Sequence, residues 1–130
     1  GNVVAGNGVV TLATDGTRTK SGTAALPTGV AGVAARSDVT GSGNNTFAID
    51  YTGSDTTLSD GGGNTMAVDW ITEALAAATA TGKTDETTDA ATGTLSSGAA
   101  YIFVGGKLTV GAAQAAGTYT GVVKVTVAYN

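Results

Sequence analysis

Few side chains in this sequence could carry out chemistry, and they do not form a recognisable catalytic set. The chain contains no His and no Cys, so the commonest general base and the strongest nucleophile are missing. Asp60 and Asn64 flank three glycines, but their spacing differs from that of a calcium loop. Asp85, Glu86 and Asp89 form an acidic cluster that is typical of a solubilising loop. We therefore expect no enzymatic activity, no cofactor and no bound metal.

Three other residues have structural interpretations. Asn44 begins a formal glycosylation sequon within a predicted turn, and this pattern alone does not indicate modification. Trp70 is the only Trp, and a single Trp in a β domain more often packs in the core than on a ligand surface. Tyr119 follows Gly117 in the manner of a tyrosine corner, in which the hydroxyl ties a loop to the backbone.

The composition indicates one β domain that spans residues 1–130. A chain of 130 residues is long enough for a single core, and its 21 Gly and single Pro suit strands separated by turns. The net charge is −4 and the six basic residues are scattered, which argues against nucleic acid as a partner. No apolar run approaches the roughly 20 residues that span a bilayer, so we expect no membrane insertion.

Alternating patterns and turn residues predict about eight short strands. The predicted strands cover residues 9–13, 30–39, 47–52, 66–71, 92–95, 100–104, 107–110 and 118–129. Gly105-Gly106 is interpreted as the turn of a hairpin, residues 72–80 as an irregular or short helical connection, and residues 81–91 as an exposed loop. This spacing of strands and turns predicts an antiparallel β-sandwich.

The predicted terminal strand is the longest and most regular in the chain. Its odd-numbered residues should share one face, and its even-numbered residues the other. A slip of one residue would expose the whole apolar face, so the register should be firmly set. The residues that we expect to form this face, and to contact another subunit or a chaperone, are Gly117, Tyr119, Val123, Val125, Val127 and Tyr129.

The C-terminal region resembles the subunits of chaperone–usher pili. Gly117 lies fourteenth from the C-terminus, Tyr129 is penultimate, and alternating apolar residues lie between them, as in the terminal strand of those pilins. Residues 99–121 are also similar to uncharacterised secreted bacterial domains related to the archaic, spore-coat-protein-U-like pilins. The strong resemblance covers residues 99–130, and a weaker one covers residues 8–20.

The resemblance implies an immunoglobulin-like sandwich that lacks one strand. In that family a neighbouring subunit fills the gap with an extended segment, which is called donor-strand complementation. The implied protein is a structural subunit of a fimbrium on the bacterial surface. Its partners would be identical subunits in a head-to-tail polymer, with a periplasmic chaperone and an outer-membrane usher during assembly. Gly1 to Gly8 do not supply the roughly ten alternating residues that a donor extension needs.

Two other functions are compatible with the sequence. One is a stand-alone adhesin or carbohydrate-binding module, which would present aromatic side chains on its surface. Only seven aromatic residues are present, and most fit positions that face inward. The other is a structural domain of a surface layer or a virion.

Overall fold

A computed structural model describes residues 2–3, 6–26 and 31–130. The described residues form strands, turns and irregular segments, with no helix among them. The strands are β1 (Asn2–Val3), β2 (Gly8–Leu12), β3 (Arg18–Gly22), β4 (Ala35–Thr40), β5 (Thr46–Asp50), β6 (Thr57–Ser59), β7 (Thr65–Leu75), β8 (Thr92–Thr94), β9 (Ala99–Val110), β10 (Gly117–Thr118) and β11 (Thr126–Tyr129).

Two antiparallel sheets are arranged as a sandwich, as the sequence predicts. The larger sheet has the strand order β3-β2-β9-β7-β6, and β4 also pairs with β9. The smaller sheet has the order β11-β5-β8, and β1 pairs separately with β10. All strand pairs are antiparallel.

The core has two parts that lie on the inner face of the larger sheet. In the first part, Phe47 and Ile49 of β5 pack on Ile102 and Val104 of β9, and Leu95 completes the cluster. The alternation of residues 47–52 predicts this inward face, because Phe47 and Ile49 are buried while Asp50 is exposed. The second part is a smaller cluster formed by Ala24, Met66, Val110 and Tyr119.

The interpretation of Gly105-Gly106 as a hairpin turn is wrong. Both glycines lie inside β9, which runs unbroken for 12 residues and is the longest strand described. At this point the neighbour of β9 changes, because β4 pairs with β9 up to Val104 and β2 pairs with it from Gly106 onwards. A Cβ atom on Gly105 would lie 2.1 Å from the carbonyl oxygen of Leu12. Gly105 therefore permits the close approach of two backbones within a strand.

The boundaries of three other predicted elements also differ. The strand predicted at 66–71 extends to Leu75, so the connection after it is shorter than expected and contains no helix. The strand predicted at 30–39 is observed only as β4, and residue 30 lies outside the described residues. Residues 81–91 form the expected connection without strands, although it is held firmly to the sheet.

Candidate subunit interface

Residues 117–130, called here the terminal segment, do not form one continuous strand. The prediction of a single strand over 118–129 is wrong, because only β10 and β11 are regular and residues 119–125 between them are not. The break occurs because the segment begins beside β6 of the larger sheet and ends beside β5 of the smaller sheet. Thr120 bridges to Ser59, whereas Thr126 pairs with Asp50.

Side chains hold the terminal segment where the backbone ladder is interrupted. The Val122 N–H donates to the Asp55 carboxylate at 2.6 Å, and the Val122 carbonyl accepts from the Asp55 N–H at 2.8 Å. The Lys124 N–H donates to the Ser54 hydroxyl at 2.8 Å. From Thr120 to Asn130, the even-numbered residues therefore direct their backbone hydrogen-bonding groups towards residues 46–60.

The odd-numbered residues direct their backbone groups towards the opposite edge. Asn130 donates to the Thr46 carbonyl, and the Ile49 N–H points away to Ala91, so Val127 and Tyr129 occupy the non-hydrogen-bonded positions of the β11–β5 ladder. Within the described part of the chain, no hydrogen bond involves the backbone of the odd-numbered residues from 121 to 129. This row of groups, called here the free edge, can pair with a further strand.

The side chains along the free edge are only half covered. Val123, Val125 and Val127 are of intermediate exposure and pack against the first part of the core, while Tyr119 is fully buried. The expectation that Tyr129 faces the core is wrong, because 58% of its surface is exposed and its hydroxyl donates to the Thr40 carbonyl. The ring lies beside Gly41.

An apolar groove lies next to the free edge, on the inner face of the larger sheet between the two parts of the core. It contains a cavity of about 220 Å³. Leu12 and Val33 line it from the side of β2 and β4, Trp70 lines it from β7, and Val123 of the terminal segment also lines it. Val33 is 81% exposed. An exposed apolar surface of this kind marks a site of interaction with another molecule.

The N-terminal strand pairs with the start of the terminal segment. Val3 of β1 pairs with Gly117, and Asn2 pairs with Thr118, in antiparallel orientation. The start of the terminal segment therefore pairs with a strand of this chain.

Tyr119 forms the tyrosine corner that the sequence predicts. Its hydroxyl donates to the Ala115 carbonyl at 2.8 Å and accepts from the Gln114 side chain at 2.7 Å. Gln114 also donates to the Thr65 carbonyl of β7 at 3.1 Å. These bonds fix the loop before β10 and set where the terminal segment begins.

Trp70 is half-buried at the border of the groove rather than enclosed in the core. Its indole N–H donates to the Asp55 carbonyl at 2.7 Å, so the residue that holds Val122 is also tied to β7. The ring faces the cavity. Trp70 packs against the first part of the core, as expected, but it is not fully buried.

The carboxylates considered as metal ligands all have protein partners. Hydrogen bonds from the Asn64 side chain and the Gly62 N–H lower the pKa of Asp60, which forms an ordinary turn. Asp85 accepts two hydrogen bonds from Thr87, Glu86 pairs with Lys107, and Asp89 accepts from Thr72. Among the described residues, His, Cys, Asp and Glu form no group of three that could hold a metal ion.

A buried carboxylate that the sequence does not reveal fastens residues 76–91 to the outer face of the sheet. Glu73 accepts hydrogen bonds from the Thr14 hydroxyl at 2.5 Å and from the Thr81 N–H at 2.9 Å. Burial alone would raise the pKa of Glu73, but the hydrogen bonds from Thr14 and Thr81 and the charge of Lys83 hold it below its usual value. Lys83 in turn donates to the Thr72 carbonyl at 2.9 Å. This cluster is fully satisfied and stabilises the fold.

Comparison with known proteins identifies a family without a known activity. Residues 1–129 match the model of a family described as Domain of unknown function (DUF4402). No curated protein and no solved structure matches the chain. Among the described residues there is also no helix long and apolar enough to cross a membrane.

Proposed function

The chain belongs to the DUF4402 family, and we propose that this member is a structural subunit of an extracellular bacterial filament that assembles by donor-strand complementation. The observation that carries the proposal is the free edge beside an uncovered apolar groove. A strand inserted there would pair with the odd-numbered residues of the terminal segment and become the fourth strand of the smaller sheet.

The free edge and the groove supply different parts of the binding energy. Each backbone hydrogen bond contributes roughly 0.5–1.5 kcal/mol net, and full burial of a Val side chain contributes about 1.5–3 kcal/mol. Association itself costs on the order of 4–15 kcal/mol. Backbone pairing along five residues would offset only part of this cost. The apolar side chains of the inserted strand, and the half-exposed Val123, Val125 and Val127, must supply the remainder.

The proposed occupant of the groove is an extended segment of a second copy of this chain. The antiparallel pairing of β1 with β10, at the start of the terminal segment, supports this choice. Exchange of such strands between copies would give a head-to-tail contact, which produces open filaments when the rotation does not close. In this scheme a periplasmic chaperone would cover the free edge before assembly, and an outer-membrane usher would export the subunit to the cell surface.

Electron microscopy of the purified protein, before and after incubation at high concentration, tests the proposal. We expect filaments whose thickness corresponds to one sandwich. They should resist heating in detergent, because every link buries both backbone and apolar groups. A population of discrete monomers at all concentrations, with no loss on sedimentation, would refute the assignment.

A further inference from the structure

We infer that a second copy of this chain docks on the outer edge of β4, in a two-fold symmetric contact that joins the larger sheets of the two subunits. This contact goes beyond the proposed function, because it needs no inserted strand and links subunits side by side rather than head to tail. The argument depends on the backbone of β4, on the order of its charges and on the apolar side chains at its two ends.

The backbone of β4 presents a row of outward groups. In the part of the chain that the structure describes, β9 is the only strand that pairs with β4. The Gly41 N–H donates to the chain just before β9, whereas the Thr40 carbonyl accepts from the Tyr129 hydroxyl, outside the ladder. Because this direction alternates along an antiparallel strand, the backbone groups of Arg36 and Asp38 point outward like those of Thr40. They can therefore pair with another strand.

The charges of β4 are complementary to themselves about a two-fold axis. Arg36 and Asp38 flank Ser37, and all three residues are exposed. When two copies of β4 pair antiparallel with Ser37 opposite Ser37, Arg36 of each copy lies opposite Asp38 of the other. Both of these pairs exchange backbone hydrogen bonds and bring opposite charges together on the outer face of the sheet.

The edge strand β3 of the same sheet has the contrary pattern. There Arg18 and Lys20 flank Thr19. The same two-fold pairing about Thr19 would place Arg18 opposite Lys20, and like charges at opposite positions destabilise a pair of strands. Positive charge of this kind protects an edge from pairing, so the order of charges favours β4 as the edge that accepts a second copy.

Arg36 is already held over the outer face of the sheet. Its guanidinium carbon lies 5.3 Å from the centre of the Tyr101 ring, and its Nε and Nη2 atoms donate to the two Asp38 oxygens at 2.8 and 3.0 Å. About half of each side chain remains exposed, 48% for Arg36 and 54% for Asp38. Each charge can therefore also contact the opposite charge of a second copy, with little loss of side-chain entropy.

Apolar side chains would meet at both ends of the contact. Val33 is 81% exposed and Tyr129 is 58% exposed, and the Tyr129 ring lies beside Gly41. Continuing the same register places Val33 of one copy opposite Gly41 of the other, next to this ring. The two-fold axis repeats the arrangement at the other end, so the contact would cover two exposed apolar side chains of each subunit.

Exchange of charge between two variants tests the contact, with sedimentation velocity of the soluble protein as the measurement. Arg36→Asp leaves two carboxylates at the β4 edge, and Asp38→Arg leaves two guanidinium groups. Each variant alone should dimerise at least about tenfold more weakly than the unmodified protein, because like charges then face each other. An equimolar mixture should form a heterodimer about as tightly as the unmodified protein, because opposite charges face each other again. Mixing does not restore the pair within each chain, so only a contact between copies explains the recovery.

The matched control is Asp69→Arg, which makes the same change of charge as Asp38→Arg on an exposed residue of β7 and should leave the dimer unchanged. A soluble fraction that is monomeric at every concentration would overturn the contact and leave the filament proposal intact. Dimers that neither variant weakens, or variants that do not associate when mixed, would also overturn it. Dimers that follow the charges but never form filaments would support the contact and count against the proposed function instead.

Discussion

A charge at Val125 should separate the stability of the subunit from its ability to assemble. Val125 is half-buried against the core in the single subunit, and its backbone groups belong to the free edge. Full burial of a Val side chain contributes about 1.5–3 kcal/mol, so Val125→Asp should lower the free energy of unfolding by only about 1 kcal/mol. The new carboxylate can remain hydrated as long as the groove is open.

The same substitution should have a much larger effect on the filament. An inserted strand would cover residue 125 and remove its carboxylate from water without a partner, which costs several kcal/mol. A cost of about 4 kcal/mol corresponds to a roughly thousandfold weaker link, since 1.4 kcal/mol is a factor of ten. The critical concentration for assembly, measured by sedimentation, should rise by about this factor.

The control is Ala128→Asp, which introduces the same charge on the exposed outer face of the same strand, opposite Ala48. It should change stability in urea by less than about 0.5 kcal/mol and leave assembly unaffected. If Val125→Asp forms filaments at the concentration of the unmodified protein, residue 125 does not face an inserted strand and the reasoning is refuted.

Three further predictions concern the fold. Glu73→Gln should lower the free energy of unfolding by about 1–3 kcal/mol at pH 7. Folding lowers the pKa of Glu73, so the ionised side chain stabilises the protein above its unfolded pKa of about 4.3. This stabilisation disappears as the pH falls through the pKa of the folded state. The free energies of unfolding of the two proteins, measured in urea, should therefore converge in acid. Gly93→Val should destabilise the protein by about 1–3 kcal/mol, since even a Cβ atom would lie 2.2 Å from the buried Phe47 ring; an unchanged melting temperature would contradict this packing. Tyr119→Phe removes the hydrogen bond to Ala115 and should cost roughly 0.5–1.5 kcal/mol in thermal unfolding.

Alternation along single strands predicts much of this fold. The inward positions of Phe47 and Ile49, and the inward packing of Val123, Val125 and Val127, follow from a period of two, which local sequence displays directly. The all-β class follows from the composition, because Thr and Val favour strands and the many Gly residues favour the turns between them.

The predictions from sequence are wrong or incomplete where residues distant in the chain determine the local structure. Gly105 resembles a turn residue, but its role is to let the backbone at Leu12 approach β9 from more than ninety positions away in sequence. Apolar and polar residues alternate along the terminal segment without interruption, yet the segment passes from the larger sheet to the smaller one in its middle. There the side chains of Ser54 and Asp55, rather than a neighbouring strand, accept hydrogen bonds from its backbone. Glu73 gives no signal in sequence, because its partner Thr14 is 59 residues away.

Residue-resolved amide hydrogen exchange along the terminal segment tests the central claim most directly. In the isolated subunit, the N–H groups of Val123, Val125 and Val127 should exchange rapidly, whereas those of Val122 and Lys124 should be protected by Asp55 and Ser54. In filaments, all five should be protected, because an inserted strand would accept hydrogen bonds along the free edge. Equal protection of all five amides in the isolated subunit, or rapid exchange of the odd-numbered ones in filaments, would contradict the account.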